Sequence, residues 1–249
     1  MNENTLQKMN TMKLYGMHRA FKTGLDTGKT NELTTDQFIS YLVDAEHDDR
    51  SDRRIKRLVK NARFRYKASL DRVQYDGARK LDKNYLMRLA SCTYLDKGEN
   101  ILITGRTGVG KSFVACALGQ EACVLGYRVL YFNTARFFSM LKMAKADASY
   151  IKEMARLEKH HLIILDDFGL QPMDHESRLI LLDLVEDRHG KGSMIITSQV
   201  PVDQWYELIG EKTVADAILD RIVHNAHRLN LKGESLRKKS QTRSTEKLN

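Results

Sequence analysis

The hydrophobic positions follow different periods in the two parts of the chain. Up to about residue 75 they recur at helical spacing, as in the series Leu6, Met9, Met17 and Phe21. From Glu99 onward, short apolar runs such as NILITG and HLIILDD alternate with stretches of helical period. Repeated strand–helix units of this kind are typical of a parallel sheet with helices on both faces. We therefore predict an α/β fold preceded by a small all-α N-terminal domain.

The change of period also predicts how the chain is divided. A chain of 249 residues is long enough for one core and a smaller appended domain. We expect a helical basic N-terminal domain over 1–75, a connector over 76–97 and an α/β core over 98–239. The basic tail over 240–249, SQTRSTEKLN, has no apolar pattern and is predicted to be disordered.

Positive charge is concentrated in two segments of a chain whose net charge is +9. Residues 50–67, RSDRRIKRLVKNARFRYK, hold nine Lys or Arg against one Asp, and residues 228–249 hold seven against two Glu. The apolar residues of the first segment, from Ile55 to Tyr66, keep helical spacing, so a helix there would have one apolar stripe and a basic surface. Such a surplus favours nucleic acid or an anionic membrane as partner over simple solubility.

Several classes of protein are disfavoured by composition. The three cysteines show no C-x-x-C spacing and predict neither a disulfide framework nor a zinc site. No apolar run approaches the ~18 residues that a membrane span needs, and the first residues lack the apolar segment of a signal peptide. We therefore expect a cytoplasmic protein with no membrane partner.

GRTGVGKS, residues 105–112, matches the phosphate-loop pattern G-x-x-x-x-G-K-[ST] in full, between a predicted strand and a predicted helix. The dipole of that helix adds positive potential where the phosphates would lie. Lys111 would reach the β- and γ-phosphates, and Ser112 would bind Mg²⁺. The backbone that would surround the phosphates belongs to Gly105, Arg106, Thr107, Gly108, Val109 and Gly110. The pattern predicts a nucleoside triphosphate with Mg²⁺.

The run LIILDDFG, residues 162–169, fits three kinds of nucleotide enzyme: the D-F-G of a protein kinase, the D-x-x-G of a GTPase and the Walker B strand of an ATPase. The chain has no G-x-G-x-x-G loop, V-A-I-K lysine or H-R-D loop for a kinase, and no N-K-x-D guanine reader for a GTPase. The Walker B interpretation remains. Asp166 would hold the Mg²⁺ water shell, and Asp167 would polarise the attacking water, although Asp is one methylene shorter than the Glu of many ATPases.

With both motifs placed, the chain resembles the IstB family of insertion-sequence ATPases over nearly its whole length. The resemblance rests on GRTGVGKS, LIILDDFG, MIITSQVP, the block DAILDRIVHNAHRLNLKGESLR and the basic helical region before the core. That family consists of AAA+ proteins related to the helicase loader DnaC and the initiator DnaA. The resemblance implies an AAA+ P-loop fold and an ATPase that uses ATP with Mg²⁺. It also implies that the protein assembles on duplex DNA as a homo-oligomer, with ATP sites at subunit interfaces, and assists a DDE-type, IstA-like transposase.

The same resemblance implies further site residues. Thr197, Ser198 and Gln199 would occupy the sensor position between the two Walker strands, with Ser198 acting in catalysis. Arg221 would be an arginine finger inserted into the ATP site of the neighbouring subunit, and Arg237 is a weaker candidate for a phosphate contact. The expected DNA contacts are Arg53, Arg54, Lys56, Arg57, Lys60, Arg63 and Arg65.

Arg221 has support from the residues around it as well. It falls inside the apolar stripe of a predicted helix over 213–228, and the positions three and four away carry no acid. A half-buried guanidinium without a local carboxylate is costly unless another group neutralises it. A phosphate in another subunit would do so, and a salt bridge within the subunit is the alternative.

Three other functions stay open. A DnaC-like replicative helicase loader would share the core. A P-loop small-molecule kinase would need an arginine-rich lid and an acceptor pocket, and neither the basic helix nor a finger helix would be expected in it. A structural DNA-binding protein that binds ATP without hydrolysing it is the third, because Asp167 stands in place of Glu.

Overall fold

The computed structural model describes residues 2–28, 33–75 and 79–236. The predicted disordered tail and the candidate phosphate contact Arg237 lie outside these ranges. The chain divides into two compact units, residues 1–57 and residues 58–249.

The first unit is helical, as the period of its apolar residues predicts. It contains α1 (Asn2–Thr11), α2 (Tyr15–Thr27) and most of the 28-residue α3 (Thr35–Ala62). Helices α2 and α3 touch at Gly16, where a Cβ would lie 2.2 Å from the Ala45 carbonyl oxygen. At the same crossing, the backbone N–H groups of Gly16 and Met17 donate to the Glu46 carboxylate at 2.8 and 3.2 Å. A side chain on α3 thereby caps the start of α2.

The second unit contains a five-stranded sheet in which every neighbouring pair of strands is parallel. Its spatial order is β2-β3-β4-β1-β5, so β4 lies between the strand before the phosphate loop and the strand that carries the two aspartates. The strands are β1 (Asn100–Gly105), β2 (Val129–Asn133), β3 (Leu162–Phe168), β4 (Ser193–Ser198) and β5 (Ala226–Leu231).

Helices cover both faces of this sheet, and alternating strand residues contribute to two apolar layers. Ile101 and Ile103 belong to the layer that contains α6, whereas Leu102 belongs to the layer of α7, α9 and α11. The helices are α4 (Lys83–Ala90), α5 (Thr93–Asp96), α6 (Lys111–Val124), α7 (Thr134–Ala146), α8 (Tyr150–Glu158), α9 (His175–Arg188), α10 (Trp205–Ile209) and α11 (Lys212–Val223). Short 3₁₀ turns span Leu70–Arg72 and Val202–Gln204. The predicted α/β architecture is confirmed.

The boundary between the units falls at residues 57 and 58, within α3, rather than near residue 75. Leu58, Val59 and Ala62 belong to the core of the second unit. Helix α3 ends at Ala62, where Arg63 takes a φ of +57°, so Tyr66 does not extend its apolar stripe. The segment expected to be a connector instead forms α4 and α5, and Leu86, Leu89, Tyr94 and Leu95 of these helices are buried in the same core.

Two helices differ from the sequence-based prediction. The helix expected over 213–228 ends at Val223, and β5 begins at Ala226 because those residues pair with β1. His227 is therefore a strand residue, and its ring contacts Glu99 and Tyr85. Helix α8 was not predicted, and of its nine residues only Met154 and Leu157 are buried.

All three cysteines are buried and none forms a disulfide in the described part of the chain. Burial raises the pKa of the Cys92 and Cys116 thiols to about 11 and that of Cys123 to about 12, which keeps them protonated. No group of three or more His, Cys, Asp or Glu side chains in these ranges could hold a metal ion. None of the described helices is both long and apolar enough to cross a membrane.

Candidate nucleotide-binding site

The phosphate loop connects the end of β1 to the start of α6, as predicted. Gly108 and Gly110 have φ values of +83° and +101°, which L side chains rarely adopt. At Gly108 a Cβ would also lie 2.7 Å from the Ser235 Cβ, so the C-terminal segment packs directly on the loop. Leu236 N–H donates to the Gly108 carbonyl at 2.9 Å. The loop is therefore held from outside by the segment GESL, residues 233–236.

Lys111 lies at the first position of α6 with only 5% of its surface exposed. Its Nζ donates to the Arg106 carbonyl across the loop at 3.0 Å. Burial lowers the pKa of Lys111 below its usual value, although the charges of Asp167 and Asp166 oppose this shift. The negative charge of a polyphosphate would offset this cost of burying the Lys111 ammonium. The position of Lys111 in the loop is that of a phosphate ligand.

Asp166 is completely buried, and three surrounding elements hold it. One carboxylate oxygen accepts from the Thr197 hydroxyl on β4 and the other from the Tyr131 phenol on β2. The backbone carbonyl of Asp166 accepts from the Thr134 hydroxyl on α7 at 2.8 Å. These hydrogen bonds satisfy the buried carboxylate and set its orientation.

The two adjacent acids face the same way because β3 contains a bulge. The pairing of β3 with β4 shifts register between Leu165 and Phe168, and Asp167 has a φ of +61°. Asp and Asn tolerate this left-handed conformation better than Glu does, which gives a backbone reason for Asp at this position. The acids were expected at the end of the strand, but β3 continues to Phe168 and the bulge, not the strand end, makes them converge.

Arg65, expected among the DNA contacts, lies in this site. Its Nη1 is 3.4 Å from Asp166 Oδ2 and 3.1 Å from Asp167 Oδ2. It lines a cavity of about 330 Å³ with residues of the phosphate loop, Lys111, Ser112, Asp167 and Gln199. Arg65 Nη1 therefore contacts both carboxylates. Its position marks a place between Asp166 and Asp167 where a cation fits.

Comparison with known proteins places the chain in a family. A family model described as "IstB-like ATP binding protein" matches residues 7–244. The chain belongs to this family. The insertion sequence ATP-binding protein y4pL of Sinorhizobium fredii (strain NBRC 101917 / NGR234) is 42% identical over 240 residues, covering 96% of this chain and 98% of the relative. The IS21 ATP-binding protein of Pseudomonas aeruginosa is 30% identical over 220 residues, covering 88% and 83%.

Solved structures show the fold of this IstB-like chain. The DnaC helicase loader superposes with a TM-score of 0.58 at 19% identity, covering 67% of this chain and 98% of the loader. AMPPCP-bound DnaA from Aquifex aeolicus superposes with a TM-score of 0.58 at 16% identity, covering 74% of this chain and 56% of DnaA. The predicted AAA+ fold is confirmed.

The three sensor candidates of the IstB-like chain occupy different environments. Ser198 is completely buried, and its hydroxyl donates to the Phe168 carbonyl at 2.7 Å while accepting from Val200 N–H at 3.0 Å. Backbone partners therefore engage Ser198, and it does not line the cavity. Gln199 does line the cavity, and its Oε1 accepts from the Thr107 hydroxyl of the phosphate loop. The Thr197 hydroxyl contacts both acids: it donates to the Asp166 carboxylate and accepts from Asp167 N–H at 3.1 Å.

Arg221 has an intramolecular partner. Its Nη2 lies 2.7 Å from Glu186 Oε1 on α9, and its Nη1 donates to the Ala217 carbonyl at 2.8 Å. The alternative of a salt bridge within the subunit is therefore the arrangement in this single chain. The Arg221 carbonyl accepts from Asn100 Nδ2 at the start of β1, whereas the phosphate loop follows the end of β1. The length of β1, roughly 17 Å, separates Arg221 from its own phosphate loop.

Acidic side chains of α3 neutralise part of the positive charge of the basic helix in this IstB-like chain. In the first unit, Arg50 Nε lies 2.7 Å from Glu46, and Arg53 Nε lies 2.6 Å from Asp49. Both acids are buried, and burial by itself would raise the pKa of Glu46. The hydrogen bonds from Arg50, Met17 N–H and Gly16 N–H together outweigh burial and hold this pKa below its usual value. The guanidinium of Arg53 also lies 5.0 Å from the centre of the Tyr15 ring. Arg53 is thus engaged within its own unit, and the remaining exposed candidates are Arg54, Lys56, Arg57, Lys60 and Arg63.

Proposed function

We propose that this IstB-like protein binds and hydrolyses ATP with Mg²⁺. One observation carries the proposal: the phosphate loop and the Asp167 carboxylate line one cavity of about 330 Å³, with Asp166 directly beside Asp167. The relatives described as insertion sequence ATP-binding proteins support ATP as the nucleotide. An oxygen-rich set from Ser112, Asp166 and Asp167 suits Mg²⁺, which keeps several waters in protein sites. When bound, Mg²⁺ would neutralise charge on the β- and γ-phosphate oxygens.

Each residue of the proposed site has a separate task. Lys111 and the loop N–H groups bind the phosphates, and Ser112 supplies a hydroxyl ligand to the metal. Asp166, oriented by Thr197 and Tyr131, holds the metal's water shell. Asp167 would accept a hydrogen bond from the water that attacks the γ-phosphorus. The bond between the γ-phosphorus and the oxygen that links it to the β-phosphate breaks, and ADP leaves with that oxygen. Gln199, rather than Ser198, is the sensor residue that faces the γ-phosphate.

Assembly would complete the site. The distance along β1 prevents Arg221 from serving its own phosphate loop, so its guanidinium can reach a γ-phosphate only in another copy of the chain. In a homo-oligomer with ATP at the subunit interfaces, Arg221 would exchange Glu186 for that phosphate. Arginine fingers contribute by neutralising charge that develops in the transition state.

DNA and a transposase are the proposed partners, and the cytoplasm is the proposed location. The exposed cations at the end of α3 would contact DNA phosphates without reading sequence. Relatives at 30–42% identity are insertion sequence proteins, whereas the likeness to the DnaC loader, at 19% identity, concerns the fold. Assistance to a DDE-type, IstA-like transposase is therefore favoured over helicase loading.

The proposal is tested by measuring ATP hydrolysis with and without duplex DNA, while the size of the complex is followed by light scattering. We expect Mg²⁺-dependent hydrolysis and an ATP-dependent increase in mass. Lys111→Ala should abolish both, whereas Lys152→Ala, an exposed lysine on α8, should change neither. Equal hydrolysis by the Lys111→Ala and unaltered proteins would contradict the assigned site, and phosphorylation of an added small acceptor would favour a kinase.

A further inference from the structure

Arg65 lies on a short segment that is anchored on both sides. Phe64 reaches Gly119 of α6 so closely that a Cβ there would be 2.7 Å from its ring. Tyr66 packs against Phe113, also on α6, with ring centroids 6.4 Å apart. Both rings belong to the core of the second unit. The backbone of Arg65 is therefore held in place, and only its side chain is free to change partners.

The guanidinium of Arg65 balances the charge of the acid pair. Asp166 and Asp167 carry two negative charges, and the neighbouring cations in this structure are Arg65 and Lys111. The other groups that face the acids, Tyr131 and Thr197, are neutral donors. Arg65 therefore contributes part of the positive charge beside the acid pair.

Mg²⁺ would need the position that the Arg65 guanidinium occupies beside the two carboxylates. Arg65 Nη1 lies within 3.4 Å of both carboxylates, and Arg65 lines the same cavity as Ser112. A hydrated dication and a guanidinium cannot both occupy that position, because they would overlap and repel each other. With 43% of its side chain exposed, Arg65 has open space into which it can move.

We propose that Arg65 is a tethered competitor of Mg²⁺: it pairs with Asp166 and Asp167 and leaves them when Mg²⁺-nucleotide binds. The inference rests on the proposed nucleotide site and adds a residue to it. Arg65 therefore raises the Mg²⁺ concentration needed for nucleotide binding.

The test measures binding of the non-hydrolysable analogue AMPPCP at a fixed concentration over a Mg²⁺ titration. Arg65→Gln removes the charge and keeps a long polar side chain, and Lys67→Gln is the matched control because Lys67 is an exposed cation of the same segment. A partly exposed ion pair, worth up to about 1 kcal/mol, predicts that the Mg²⁺ midpoint falls roughly two- to fivefold in Arg65→Gln. The midpoint should be unchanged in Lys67→Gln.

A midpoint in Arg65→Gln equal to that of the unaltered protein overturns the inference. So does weaker analogue binding at every Mg²⁺ concentration, because Arg65 would then be a phosphate ligand. Lys111→Ala protein that binds the analogue normally would instead overturn the proposed nucleotide site, and the inference with it.

A second measurement needs no variant at Arg65. In the unaltered protein, the guanidinium reagent phenylglyoxal should modify Arg65 faster with Mg²⁺ and AMPPCP than with AMPPCP and a chelator, because the side chain is released only when the metal enters. Peptide mass spectrometry measures this rate, and equal modification of Arg65 in the two conditions would contradict its release.

Discussion

The salt bridge between Arg221 and Glu186 can be separated from the proposed finger role because the two differ in energy. The pair is 27% and 48% exposed, so it should contribute at most about 0.5–1 kcal/mol to folding. An arginine finger contributes about 10³ or more in rate, which is roughly 4 kcal/mol of transition-state stabilisation. Arg221→Ala should therefore leave the free energy of unfolding and ATP binding nearly unchanged, while hydrolysis in the assembled form falls by about 10³.

Mixing two inactive proteins tests whether Arg221 acts in a neighbouring site. Arg221→Ala supplies a site with an intact Asp167, and Asp167→Asn, which should keep ATP binding and assembly, supplies an intact finger. With random assembly in a head-to-tail oligomer, roughly a quarter of the interfaces combine the two intact parts, so about that fraction of activity should return. The readout is ATP hydrolysis of the mixture against each protein alone.

Glu186→Gln is the matched control for the salt bridge. It removes the intramolecular partner of Arg221 but leaves the guanidinium, so hydrolysis should persist. The reasoning is refuted if mixing restores nothing while Arg221→Ala loses several kcal/mol of stability in denaturant unfolding. Loss of hydrolysis in Glu186→Gln as complete as in Arg221→Ala would likewise assign Arg221 to the internal bridge.

Two further predictions concern the acid pair and the basic helix. Asp167→Asn should keep ATP and DNA binding, because Asn tolerates the same positive φ, but it should slow hydrolysis by roughly 10²–10⁴. Single-turnover assays measure this rate, and an unchanged rate would show that another residue orients the water. The DNA affinity should fall with salt at a log–log slope near −4 to −5, from about five phosphate contacts. Replacing Lys56 and Lys60 by Ala should reduce that slope by about 2 in a salt series, whereas the same change at the exposed Lys152 and Lys159 should not; an unchanged slope in the first pair would place the DNA surface elsewhere.

The phosphate loop and the strand–helix alternation could be predicted from the sequence because both depend on local patterns. In GRTGVGKS the backbone would bind the phosphates, so the glycines and one lysine at fixed spacing are enough to predict the loop. Helix α7 was predicted with its observed bounds, Thr134–Ala146. The helix over 213–228 was predicted too long because its last residues have helical spacing, whereas pairing with β1 makes them a strand.

Contacts between distant residues decided what the charged side chains do. Arg65 and Asp166 are 101 positions apart, and nothing in the period of residues 50–67 distinguishes Arg65 from its basic neighbours. Arg221 lacks an acid on its own helix, yet Glu186 on α9 supplies one. Ser198 and Gln199 are adjacent, but the strand directs one into backbone hydrogen bonds and the other into the cavity.

The sequence by itself determined the family, the phosphate loop and the identity of the two acids. Only the tertiary structure decided how the acids are presented, because a bulge in β3 and a positive φ at Asp167 turn both carboxylates toward one cation. A period of hydrophobic residues predicts which face of an element is buried. The partner of a charged side chain depends instead on which other elements pack beside it, and that is set by the whole fold.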